Sequence, residues 1–134
     1  MYITKKDREI VKHKFGCRCA YTGTELMDDW QVDHVNPIRR NWWTNTAMLE
    51  GNHKIANMLP VQRVVNHYKH SMDLEQFREF MEGFHLRIAK LPKNPMVQKS
   101  IKRKAYMLEI ARLFDITPEK PFSGMFWFET ISLT

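Results

Sequence analysis

The chain has 134 residues, 43% of them hydrophobic, with 21 Lys and Arg against 15 Asp and Glu for a formal net charge of +6. This excludes wholesale disorder, leaves little room for two independent cores, and predicts a single domain over residues 1–134. No apolar run approaches the ~20 residues of a membrane span, and the N-terminal Met1–Asp7 lacks a signal-type apolar stretch, so a cytoplasmic location with no membrane partner is expected. Such a basic surface draws polyanions by charge steering and counterion release, although many basic proteins bind no nucleic acid.

Taken in chain order, Thr4 to Phe15 is predicted as a short N-terminal helix. Thr4 and Asp7 have capping-box spacing, Ile10, Val11 and Phe15 offer an apolar side, and Gly16 stops it. From Cys17 to Val35 the pattern turns extended and turn-rich, so a β-hairpin is expected with its second strand near Trp30–Val35, ended by Pro37. Residues 41–57 form a long polar connection apart from Trp42 and Trp43, and connections of that length are often functional. Leu59-Pro60 is expected to open a helix. Its stripe is Val61, Val64, Val65 and Tyr68, with Gln62, Asn66, Lys69 and His70 on another side. Asp73 and Gln76 have capping-box spacing for a further helix along Leu74, Phe77, Met81, Phe84 and Ile88, broken at Leu91-Pro92. Asn94-Pro95 is expected to start a last helix reaching about Phe114, with Val97, Ile101, Ala105, Leu108 and Ala111 inward. The aromatic tail from Phe122 to Ile131 is either a strand or a docked segment.

Cys17 and Cys19 are separated by one residue, a spacing that would strain a disulfide, and two cysteines cannot build a four-thiolate zinc site within one chain. A weaker site using these cysteines with histidines stays open.

Four features follow in order: Asp33-His34 ahead of Pro37, a long polar loop, Asn57 before Leu59-Pro60, and Asn66 with Lys69 three residues on. The pattern Val-Asp-His-Val-x-Pro, then Gly-Asn…Asn-x-x-Pro-Val, then Asn-x-x-Lys resembles the signature of the HNH endonucleases, and Cys19-Ala-Tyr-Thr-Gly23 resembles the Cys-x-x-Cys-Gly that opens many of them. The resemblance covers about residues 15–80. It implies an α+β fold, with a small ββα-metal core of hairpin plus helix wrapped by flanking helices and a helical extension over 91–134. It implies His34 as general base, Asp33 and Asn66 as ligands of one Mg²⁺ or Mn²⁺, and Asn57 tying the loop to the strand that carries the base. The family's paired structural cysteines are not kept: Thr22, Gln62 and Val65 stand beside Cys19 at those positions, so a four-cysteine zinc is not expected.

The residue types suit phosphodiester hydrolysis. An imidazole titrates near neutrality and can deprotonate water, and a hard cation held by oxygens neutralises charge on phosphate and leaving group. Adjacent residues on a regular strand face opposite ways, so Asp33 and His34 share a site only where the strand twists or ends.

Arg39, Arg40, Lys54, Arg63 and Lys69 surround the motif and are either phosphate contacts or a solvated charged face; Arg39, Arg40, Arg63 and Lys69 are the candidate nucleic-acid ligands. His67 competes with Asn66 as ligand, while His13, His53, His70 and His85 lack a supporting pattern. Trp42 and Trp43 are core plugs or base-stacking groups. Lys99, Lys102 and Arg103 serve solubility or DNA contact. The function expected is metal-dependent cleavage of DNA, with RNA also open, at low intrinsic sequence specificity. The alternatives are a nucleic-acid-binding module on the same scaffold without catalysis, and a metal-binding structural domain. The aromatic tail closes the core or buries a homodimer interface.

Overall fold

Thr4 starts the molecule's first regular element. In the computed structural model, which describes residues 3–35, 40–41, 46–47 and 54–131, its hydroxyl accepts the Asp7 amide (3.0 Å) and caps helix α1, Lys5–His13. Gly16 and Cys17, both with positive φ (63° and 64°), turn the chain out of the helix. The hairpin expected within Cys17–Val35 is corrected. A single bridge, Arg18 to Glu25, forms in its first half, and the strand there is β1, Gln31–His34. Two short strands follow, β2 (Arg40–Asn41) and β3 (Thr46–Ala47), paired with each other.

The partner of β1 is β4, Met58–Val61, antiparallel, with Gln31 opposite Val61, Val32 opposite Pro60, Asp33 opposite Leu59 and His34 opposite Met58. Leu59-Pro60 therefore lies in a strand, and the helix expected from there, α2, begins at Arg63 and ends at Lys69. All four residues of β4 are buried. A strand buried on both faces carries no alternation to distinguish it from a helical segment. Pro60 is tolerated because a two-stranded ribbon leaves one edge unpaired, and its carbonyl accepts the Ala20 amide at 2.8 Å.

The ribbon separates two apolar clusters. Leu59 and Val61 face the larger one with Val65, Phe77 and Phe84, so Asp33 and Gln31, opposite them, face α2. Met58 and Val32 face the smaller one with Val11 and Trp30, under α1, and strand alternation puts His34 on that face.

The expected capping box holds. Asp73 accepts the Gln76 amide (2.8 Å) and Gln76 accepts the Asp73 amide (2.9 Å). The helix it starts divides at Gly83 into α3, Leu74–Glu82, and α4, Phe84–Ala89. Helix α5 runs Gln98–Phe114 and follows Val97 rather than Asn94. Its inward face is Met107, Ile110, Ala111 and Leu113. The inward face expected from the sequence is right for Ala111 and wrong for Val97, Ile101, Ala105 and Leu108, which are exposed.

The tail docks through a short helix, α6 (Trp127–Ile131). Trp127 and Phe128 donate their amides to the carbonyls of Tyr21 and Ala20 (3.2 and 2.8 Å), and Phe126 stacks on Phe77 at 5.2 Å. The fold is α+β and rich in helix. Among the described residues no helix is long and apolar enough to cross a membrane.

Candidate active site

Helix α2 lies against β1, and two pairs of side chains set the contact. Asn66 and Lys69, three residues apart, fall on one helical face; Gln31 and Asp33, two apart, fall on one strand face. The Asn66 amide donates to Gln31 Oε1 at 2.8 Å. Lys69 Nζ lies 3.1 Å from Asp33 Oδ2 and 3.4 Å from Oδ1, and it also donates to the carbonyls of Met72 and His34. On the other side of the carboxylate, the Tyr21 hydroxyl donates to Asp33 Oδ2 at 2.6 Å. Burial, and then the negative charge of Asp33, pushes the Tyr21 phenol well above its usual range.

Asp33 and Lys69 are 8% and 1% exposed, so this is a buried ion pair whose remaining hydrogen-bonding capacity is taken up by neighbours. That corrects Lys69 as a candidate phosphate contact, because an ammonium enclosed by oxygens inside the protein does not meet a polyanion. It also places Lys69, rather than Asn66, directly on Asp33. The two expected ligands share the α2–β1 seam, but each is engaged by another residue. Among the described residues, no three His, Cys, Asp or Glu side chains gather as a cation site would gather them. In donor chemistry a carboxylate and an amide oxygen on one seam fit a hard divalent cation, and the position beside Asp33 already holds one positive charge.

His34 ends β1 on the opposite face from Asp33, across from Met58. Asn57 closes the short 3₁₀ turn Ile55–Asn57 immediately before β4, and its carbonyl accepts the Val35 amide at 2.9 Å. The backbone of Asn57 thus ties the end of the loop to the strand carrying His34. Lys14 braces the same corner from α1, donating to the carbonyls of Ile55 (3.0 Å) and Met58 (2.9 Å). Burial lowers its pKa.

Arg63 is exposed, with its guanidinium 3.9 Å from Asp29. It lines a groove of about 650 Å³ between α2, α5 and residues 24–29. His67 lies in the same groove, its ring edge-on to Tyr106 at 6.0 Å, so the β1 side of α2 belongs to Asn66 and Lys69. Arg40 contributes its backbone to β2. Arg39, Trp42, Trp43 and His53 lie outside the described residues. Cys19 and Gln62 are adjacent: the Gln62 amide reaches Cys19 Sγ at 3.5 Å. The Gln62 side chain bonds the Met27 amide (3.1 Å) and the Thr24 hydroxyl (3.2 Å), fastening residues 19–27 to the start of α2.

Sequence reasoning missed Tyr21 and Lys14. Tyr21 stands in the sequence reading only inside the Cys19–Gly23 stretch, and no local pattern marks Lys14. Their partners lie 12 and 41 or more residues away, at separations that no local pattern encodes. No family model, curated protein or solved structure matches the chain.

Proposed function

We propose that the protein is a metal-dependent endonuclease of the HNH type that hydrolyses DNA phosphodiester bonds. The observation that carries this reading is the order β1–loop–β4–α2. It sets the backbone of the Asp33-His34 pair beside the Asn57 turn, with Asp33 toward the Asn66–Lys69 face of α2 and His34 toward the other face of the ribbon. Asp33 and Asn66 would hold one Mg²⁺ or Mn²⁺, and that cation supplies charge neutralisation at the phosphate. The His34 imidazole takes the proton of the attacking water. Asn57 holds the loop against the strand behind it, and Arg63 offers an exposed guanidinium to the phosphate backbone.

A second reading, a nucleic-acid-binding module without catalysis, is favoured by one observation. The Asp33 carboxylate is already neutralised by Lys69 and capped by Tyr21, and His34 lies on the other face of the ribbon.

One experiment tests both. Supercoiled plasmid is incubated with the protein and Mg²⁺ or Mn²⁺, with and without EDTA, alongside His34→Ala. The nuclease reading expects nicking that EDTA abolishes and that the variant loses by about 10²-fold or more, the range for a general base. Undiminished nicking by His34→Ala defeats the assignment of the base. Gel retardation without nicking supports the binding module.

A further inference from the structure

We infer that the protein pairs with a second copy of itself through the outer face of α5, the two helices running antiparallel. Val97, Ile101, Ala105, Leu108 and Arg112 recur at spacings of four, four, three and four, which is one stripe of a helix. Such a stripe ordinarily faces a core. Here Met107, Ile110, Ala111 and Leu113 take that role, and the stripe lies outside, with Val97 66%, Ile101 41% and Leu108 46% exposed. Its apolar part, Val97 to Leu108, spans about 17 Å at ~1.5 Å per residue, an apolar track rather than scattered surface residues.

Charge selects the occupant and the direction. Lys102 and Glu109 each follow a stripe residue, Ile101 and Leu108, so both lie on the same flank. A two-fold axis near residue 105 sets Ile101 against the partner's Leu108. Symmetry then brings Lys102 beside the partner's Glu109, and the same contact repeats in reverse. Parallel pairing would turn the Lys102 and Glu109 flank toward the partner's opposite flank, where Lys104 stands, and would bring no Lys102–Glu109 contact. Glu109 already accepts Arg112 (2.6 Å), so the incoming ammonium joins a carboxylate held in place. On the other flank Lys104, nearest the axis, has its ammonium turned back onto the Lys93 carbonyl at 2.8 Å, which keeps that charge off the contact. Two single helix faces make a small interface, so the dimer is a weak one.

Sedimentation velocity on the whole chain reads the association. The wild type is expected to move from the 16.1 kDa monomer toward twice that mass between about 10 and 300 µM, the range of a small interface. Ile101→Glu and Leu108→Glu are at exposed positions, keep the circular dichroism of the wild type, and remain monomers throughout. Lys102→Glu and Glu109→Lys each weaken association by about tenfold, and the two together recover most of it, as complementary interfacial charges require. A wild type that stays monomeric at the top concentration overturns the inference. So does dimerisation unchanged by Leu108→Glu, or a double charge swap no tighter than the single ones. None of these outcomes depends on the nuclease assignment, which the plasmid assay judges separately.

Discussion

Lys69 carries the strongest residue-level consequence. Its charge is enclosed with Asp33, and removing one member of a buried pair leaves the other without compensation. Lys69→Met is expected to cost about 3–5 kcal/mol, measured by urea denaturation, while Lys69→Met combined with Asp33→Asn costs much less than the sum of the two changes. A loss below ~1 kcal/mol for Lys69→Met would mean that the pair is not a structural tie. A second ion pair sets a pH dependence. Arg78 donates to both oxygens of Glu129 (2.7 and 2.6 Å) and the Phe126 amide adds a third bond (2.8 Å). These bonds, the guanidinium first, hold the Glu129 carboxyl below its ordinary value. A carboxyl depressed in the folded state contributes stability that is present above its unfolded pKa, near ~4.3, and lost as pH falls through the folded value. The stability gap between wild type and Glu129→Gln should therefore be constant from neutral pH to about pH 5 and narrow below it, read by thermal unfolding at each pH. A gap that widens on acidification would contradict the sign.

The legibility of the elements follows their surroundings. The Asp73–Gln76 cap could be read directly because a capping box is local: its two hydrogen bonds join residues three apart. Gly16 as a stop and the Trp30–Val35 strand were legible for the same reason. Met58–Val61 was not. Its four side chains are buried on both faces, and its pairing partner β1 lies beyond the long loop, so its pattern matched a helix start as well as a strand. Helix α5 misled differently. Its apolar residues fall on two faces, and periodicity cannot say which one meets a core. The candidate site was legible in its residues and order, through the Asp33-His34, Asn57 and Asn66–Lys69 spacings. Which residue meets Asp33 was not legible, because it depends on how far α2 is shifted along β1, a matter of packing between elements.

At the scale of the molecule, the C-terminal tail closes the larger cluster. Phe126 is fully buried against Tyr21 and Phe77, and an added Cβ at Gly23, where φ is +75°, would stand 2.7 Å from the Trp127 ring. Phe126→Ala is expected to cost about 3–5 kcal/mol in chemical denaturation, as for other buried phenylalanines, through lost burial and the cavity left behind. A cost under ~1 kcal/mol would make the tail a surface appendage. The amino-acid sequence by itself determined the basic charge, the α+β composition, the capped helices and the ordered set of candidate site residues, all of which rest on composition or on neighbours a few positions apart. Only the tertiary structure decided that β1 pairs with β4, that Lys69 is buried on Asp33, that Tyr21 caps the same carboxylate, and that one apolar face of α5 is left outward. Each of these joins segments distant along the chain, where the choice among partners is made by shape and burial rather than by local pattern.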